Sequence, residues 1–175
     1  MTTIIVGTNR PGSRAGQLAH LYAALLTELG AEFNLLNLTA LPADFTTSAL
    51  YRNAGLHPEF NALADVLKAS DKVVVMVPEY NGSFPGVLKA FIDGLPYPGG
   101  LRGKKAALVG LSDGPTGAGP ALSHLTDVLM YLGTAVLPQR VRLPFIGKDL
   151  QADGTLANPL SNQLLREQAV ALLAF

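Results

Sequence analysis

The chain has 175 residues, enough to bury most of its surface around a single core, and residues 1–175 read as one domain. Its 13 Lys and Arg balance its 13 Asp and Glu, so neither nucleic-acid binding nor an electrostatic membrane anchor finds support. With no cysteine, disulfides, thiolate nucleophiles, Cys-ligated zinc and iron–sulfur clusters are excluded.

Thr3 to Val6 is a short buried-strand pattern ending at Gly7. From Ala15 to Leu29 the residues Leu18, Leu21, Tyr22, Leu25, Leu26 and Leu29 recur at helical spacing, and Gly30 fits the helix end. Phe33 to Leu38 forms a second strand. Thr39 to His57, with Pro42 and Gly55, has no clear period and reads as a loop, too long for a simple connector. Glu59 to Ala69 is a helix behind Pro58, which suits a first turn. Lys72 to Val77 is apolar on both faces, as in the middle of a parallel sheet. A loop over Pro78 to Pro85 leads into a helix from Phe84 to Asp93. Ala106 to Leu111 is a fourth strand, Ser112 to Pro120 a Gly/Pro-rich loop, and Ala121 to Leu132 a helix stopped by Gly133. Ala135 to Leu137 begins a fifth strand, and Leu160 to Phe175 is the last helix.

Strand and helix alternate five times, which predicts an α/β three-layer sandwich with a five-stranded parallel sheet. The flavodoxin-like order 2-1-3-4-5 is the common choice, and it binds ligands beyond the carboxyl ends of the strands. Hydrophobic residues reach 49% and charged residues only 15%, against about a quarter charged in an ordinary soluble domain. Such a sheet absorbs apolar residues on both faces, and an oligomer interface would absorb more.

The loop after the first strand, Gly7 to Gly16, suits a phosphate. It opens a helix whose first N–H groups are unpaired, Thr8 and Ser13 add hydroxyls, and Arg10 adds a charge-assisted fork. The alternative is a plain turn with Ser13 as helix cap. The loop is neither a Walker A sequence nor G-x-G-x-x-G, so a lone terminal phosphate fits better than a dinucleotide.

The loop after the third strand reads Pro78-Glu79-Tyr80-Asn81-Gly82-Ser83-Phe84-Pro85-Gly86-Val87-Leu88-Lys89. It closely resembles the signature of the NAD(P)H-dependent FMN reductase family, whose members include flavin, quinone, azo-dye and chromate reductases. Gly7, Thr8, Arg10 and Ser13 resemble that family's phosphate motif. The resemblance spans residues 4 to 120 and implies a flavodoxin-like fold, bound FMN and hydride transfer from NADPH or NADH. It implies a small-molecule electron acceptor and a homodimer or homotetramer. It places Thr8, Arg10 and Ser13 at the phosphate, and Pro78, Glu79, Tyr80, Asn81, Gly82 and Ser83 at the isoalloxazine ring. Where many members carry Asn, this chain has Ala15, which implies one polar contact fewer and a lower flavin affinity.

The residue chemistry agrees. Exposed backbone over Glu79 to Ser83 can pair with the ring's pyrimidine edge, the Asn81 amide both donates and accepts, and Tyr80 can stack on a flat ring. Ser83 can cap the helix that follows. In the loop after strand four, Ser112, Gly114 and Gly117 would let a ring or ribityl chain approach the backbone. His20, His57 and His124 show no metal-ligand spacing and read as structural or surface residues, and no metal site is expected. Arg14 either reinforces the phosphate site or is solvated. Flavin chemistry needs little from side chains, so no catalytic acid or base is expected. The sequence leaves two rivals: a flavodoxin-type electron carrier, which is usually acidic, and a non-enzymatic binding module. The opening Met-Thr-Thr-Ile-Ile-Val-Gly lacks a signal peptide's basic region, and no stretch nears the roughly 18 apolar residues of a membrane span, so the cytoplasm is expected.

Overall fold

In strand β3 (Lys72–Pro78), Val73, Val75 and Val77 point to one side of a sheet and Val74 and Met76 to the other, and all five are buried. That double burial explains why the run carries no polar residue between Val73 and Val77. The computed structural model describes residues 1–97 and 100–175. In chain order the elements are β1 (Thr2–Val6), α1 (Arg14–Glu28), β2 (Phe33–Asn37), α2 (Phe45–Ser48), α3 (Pro58–Asp65), β3 and α4 (Gly86–Gly94). There follow β4 (Lys105–Leu111), α5 (Gly119–Tyr131), β5 (Ala135–Val136), β6 (Val141–Leu143), α6 (Ile146–Asp149) and α7 (Pro159–Ala174). The sheet is parallel throughout, in the order β2-β1-β3-β4-β5. This is the flavodoxin-like arrangement expected.

Two apolar layers flank the sheet. Tyr22, Leu18 and Leu26 of α1 and Leu165 and Leu172 of α7 pack with Ile4, Val6, Val74 and Met76. Phe60 of α3, Leu88 and Phe91 of α4 and Leu125 of α5 pack with Ile5, Val75 and Leu108.

The structure departs from expectation in three places. The segment 39–57 is not structureless: short 3-10 turns at Leu38–Ala40 and Tyr51–Asn53 bracket α2, and Phe45 stacks on Phe60 with centroids 6.0 Å apart. Helix α4 starts at Gly86 rather than Phe84, because Pro85 stands at its cap with extended backbone.

The fifth strand position is filled by two short strands, giving six among the described residues. β5 pairs with Lys105 and Ala106, and β6 with Val109 to Leu111. Pro138 lies between them and has no N–H for the ladder. The buried Gln168 of α7 repairs the gap: its amide donates to the carbonyls of Leu108 (3.0 Å) and Gln139 (2.9 Å). Gln168 also accepts from the hydroxyl of Tyr22, whose pKa burial pushes well above the usual value.

Candidate functional site

The loops after β1, β3 and β4 converge at the carboxyl ends of the strands. Gly7 N–H donates to Met76 O at 2.9 Å, and a Cβ on Gly7 would stand 2.6 Å from that oxygen. Only glycine lets the first loop leave the sheet so close to β3. One residue on, the hydroxyls of Thr8 and Tyr80 share a 2.9 Å hydrogen bond, which joins the first and third loops directly. Glu79 N–H donates to Leu111 O at 3.0 Å, and Thr116 donates its hydroxyl proton to Glu79 Oε2 at 3.1 Å. The third and fourth loops are thereby joined as well.

Between these loops lies a polar cavity of about 700 Å³, within the range of small-molecule sites. Arg10, Ser13, Pro78, Glu79, Tyr80 and Ser112 line it, six of the twelve residues expected at the site. Arg10 takes no ion-pair partner among the described residues. Ser13 caps α1, accepting from Gly16 N–H at 3.2 Å, as the plain-turn alternative foresaw. Thr8 is fully buried, and its oxygen also accepts from Arg10 N–H at 3.3 Å, so it stands beneath the cavity as a support. Ala15 is 1% exposed in the apolar layer.

The remaining expected residues lie outside the lining. Asn81 (φ 52°) and Gly82 (φ 78°) form the tip of a tight hairpin in which Tyr80 and Ser83 exchange both backbone bonds. Two positive φ values mark a type I′ turn, and the Asn-Gly dipeptide is its strongest sequence signal. Ser83 does not cap α4; its hydroxyl lies 3.0 Å from Nδ1 of His124 on α5. His124, read as a structural or surface residue, steadies the turn. Gly114 accepts from the Ser112 hydroxyl at 3.1 Å. Gly117 is glycine for a packing reason: a Cβ there would stand 2.9 Å from both Arg142 Cβ and the backbone nitrogen of Leu143 in β6.

Arg14, Asp113 and Gly147 also line the cavity, and the last two were not singled out in the sequence. Asp113 carries no motif; it reaches Arg14 only because the fold brings positions 99 residues apart together. A second cavity, about 450 Å³ and apolar, lies between α4 and α5 and contains none of the expected site residues.

A family model for NADPH-dependent FMN reductase matches residues 2–146. The chain belongs to that family. Membership makes it an oxidoreductase that works with FMN and takes electrons from NAD(P)H. A 2-hydroxy-1,4-benzoquinone reductase of Burkholderia sp is 33% identical over 143 residues, 78% of this chain and 73% of that protein. A quinone reductase of Escherichia coli K12 is 30% identical over 140 residues, 76% and 71% of the two chains. The solved structure of FerB, a flavoenzyme NAD(P)H:(acceptor) oxidoreductase from Paracoccus denitrificans, superposes with a TM-score of 0.81 at 28% identity, covering 99% of this chain and 94% of that one. No helix among the described residues of this FMN reductase is long and apolar enough to cross a membrane.

The residues present fit FMN. The cavity is polar, has room for a small cofactor, and sets an unpaired guanidinium beside the first turn of a 15-residue helix at one end. At the other end it offers the ring of Tyr80, 37% exposed, and the Pro78–Glu79 backbone.

Proposed function

We propose that the protein is a quinone reductase: it holds FMN in the polar cavity and passes electrons from NADPH or NADH to a quinone or a similar small acceptor. The observation that carries this reading is the Thr8–Tyr80 bond, which fixes the anion-binding loop and the ring-binding loop around one cavity. FMN, when bound, supplies the hydride-accepting and electron-donating chemistry. The chain's own residues bind and orient.

Arg10 and the α1 N–H groups hold the phosphate, where a charge-assisted fork and the helix dipole act together. Ser13 keeps the first turn of α1 in place, and Thr8 holds Arg10's backbone. Pro78, Glu79 and Tyr80 form the floor for the ring. Asn81 and Gly82 present to the ring edge N–H groups that take no backbone partner among the described residues. Ser83, tied to His124, fixes that hairpin, and Ser112, Gly114 and Gly117 form the wall after β4. The protein works as a single domain over 1–175, in the cytoplasm, as a homodimer or homotetramer. The apolar cavity beside the exposed Tyr97, Met130 and Tyr131 supports an assembly.

The test is Arg10→Ala with FMN and riboflavin compared. Losing a charge-assisted contact to phosphate should weaken FMN by about 2 kcal/mol, roughly thirty-fold, and riboflavin hardly at all. Equal losses for both would refute the phosphate assignment. Anaerobic titration of the FMN-loaded protein with each nucleotide then separates a reductase from an electron carrier, whose absorbance would not bleach.

A further inference from the structure

The family match stops at residue 146, yet the cavity does not: Gly147 and Leu150 line it too. Arg14 Nη1 donates to both oxygens of Asp113, at 2.9 and 2.7 Å, and Gly147 N–H donates to Asp113 Oδ1 at 3.0 Å. A Cβ on Gly147 would stand 2.6 Å from Asp113 Oδ1 and 2.8 Å from Arg14 Nη2. The two charged groups therefore lie directly on bare backbone.

The segment around them is fastened on its other sides. Phe145 N–H donates to Gly114 O and Ile146 N–H to Ser112 O, which zips the segment to the loop that carries Asp113. Asp149 accepts from Asn158 N–H (2.8 Å) and from the Ser161 hydroxyl (2.7 Å), which ties it to the start of α7. One edge of the cavity remains, with Arg14 and Gln17 of α1 on one side and Gly147 and Leu150 on the other. The side-chain bond closing that edge is Arg14 to Asp113.

We propose that Asp113 is a clasp that holds this edge shut and so sets how fast FMN enters and leaves. This deepens the reading of the cavity as an FMN site and rests on it. Arg14 and Asp113 are 45% and 69% exposed, and exposed pairs contribute little to folding. Yet three hydrogen bonds, two from Arg14 Nη1 and one from Gly147 N–H, converge on one carboxylate over a glycine whose Cβ would displace the pair, an arrangement suited to a local task. Shut, the clasp joins α1 to the 145–150 segment. Open, it lets them part along the cavity's length. The pair also compensates the Asp113 charge beside the phosphate end and leaves Arg10 as the cation there without an ion-pair partner among the described residues.

The experiment is stopped-flow release of FMN and of riboflavin from the loaded full chain, followed by flavin fluorescence. Asp113→Asn should speed release of both ligands about five-fold, the scale of one well-formed exposed ion pair. Arg14→Gln should speed FMN release at least as much, and the double variant no more than Arg14→Gln alone. Gly147→Ala, which changes no charge, should also speed release, because its methyl displaces the pair. Added salt should raise the wild-type rate of riboflavin release toward that of the variants, whose riboflavin rates should stay flat. The apoprotein's melting temperature should not move.

Wild-type rates in Asp113→Asn, or additive effects in the double variant, would overturn the clasp. So would slower FMN release in Asp113→Asn, which would mean that the carboxylate only repels phosphate. Arg10→Ala keeps the two readings apart. If it fails to separate FMN from riboflavin, the cofactor reading falls; if it separates them while Asp113→Asn changes nothing, the clasp alone falls.

Discussion

At the amino ends of the strands the polar groups are tied to one another, whereas at the carboxyl ends they line a cavity. Thr3 and Ser70 share a buried hydroxyl–hydroxyl bond, and Lys104, its pKa lowered by burial, donates to Ser70 O. Lys72 donates to Leu173 O at 2.6 Å, and Lys105 donates to Phe175 O while lying over the Phe175 ring. Lys72 and Lys105 open β3 and β4, so these charges close the bottom of the sheet against α7. At the carboxyl ends the same strands lead into Pro78–Glu79 and Ser112–Asp113, around an unpaired Arg10. Six residues there, Gly12, Asn81, Gly82, Gly117, Ala118 and Phe145, have positive φ, and three of them are not glycine. Backbone of this kind persists where surrounding structure fixes it, and it clusters at functional sites. One end is built for stability and the other for an occupant, and substitutions at the two ends should separate accordingly.

The largest effect should come from Gly7→Ala. Its Cβ meets the Met76 backbone carbonyl, which cannot rotate away, and Leu88 Cδ2 lies 3.2 Å off. Overpacking against backbone should cost about 3 kcal/mol, read from the urea midpoint, and should abolish FMN retention by misplacing Arg10. A normal midpoint would show that the first loop is looser than the Gly7–Met76 bond implies.

Gln168→Leu should come next, at about 2 kcal/mol, because it strands the Leu108 and Gln139 carbonyls inside the protein. FMN affinity should hold, since Gln168 does not line the cavity. Thr3→Val should cost about 1 kcal/mol by unpairing Ser70, again with FMN affinity unchanged. A large loss of FMN affinity in either variant would erase the distinction between the two ends.

The same distinction explains what the sequence made legible. The strands were readable because burial on both faces leaves an unbroken apolar run, as in Val73 to Val77. Helix α1 was readable because one apolar face repeats every turn. The first and third loops were readable because their residues stand in a fixed order that resembles a family signature. Three features were not. The split of the fifth strand depends on Pro138 and on Gln168, thirty residues later, and no period connects them. The Ser83–His124 and Arg14–Asp113 pairs join residues 41 and 99 positions apart. Gly117 also makes room for β6, a packing demand that the loop sequence does not announce. Local pattern encodes elements, whereas cross-chain pairings appear only once the elements are packed.

The smallest effect on stability, and the sharpest test, should be Tyr80→Phe. The ring remains, and only the bond to Thr8 is lost. Thr8 keeps Arg10 N–H as a partner, and Tyr80 is 37% exposed, so water can take part of the lost bond's place. Stability should fall by about 0.5 kcal/mol, the low end for a partly exposed hydrogen bond. FMN affinity should nevertheless fall by a comparable factor, about two- to three-fold, if the bond sets the spacing between the loops proposed to hold the phosphate and the ring. Riboflavin, without a phosphate to register the spacing, should be affected less. If Tyr80→Phe instead behaved like Thr3→Val, losing stability with FMN affinity intact, the Thr8–Tyr80 bond would be one more tie holding the sheet together. The carboxyl ends would then differ from the amino ends in shape alone.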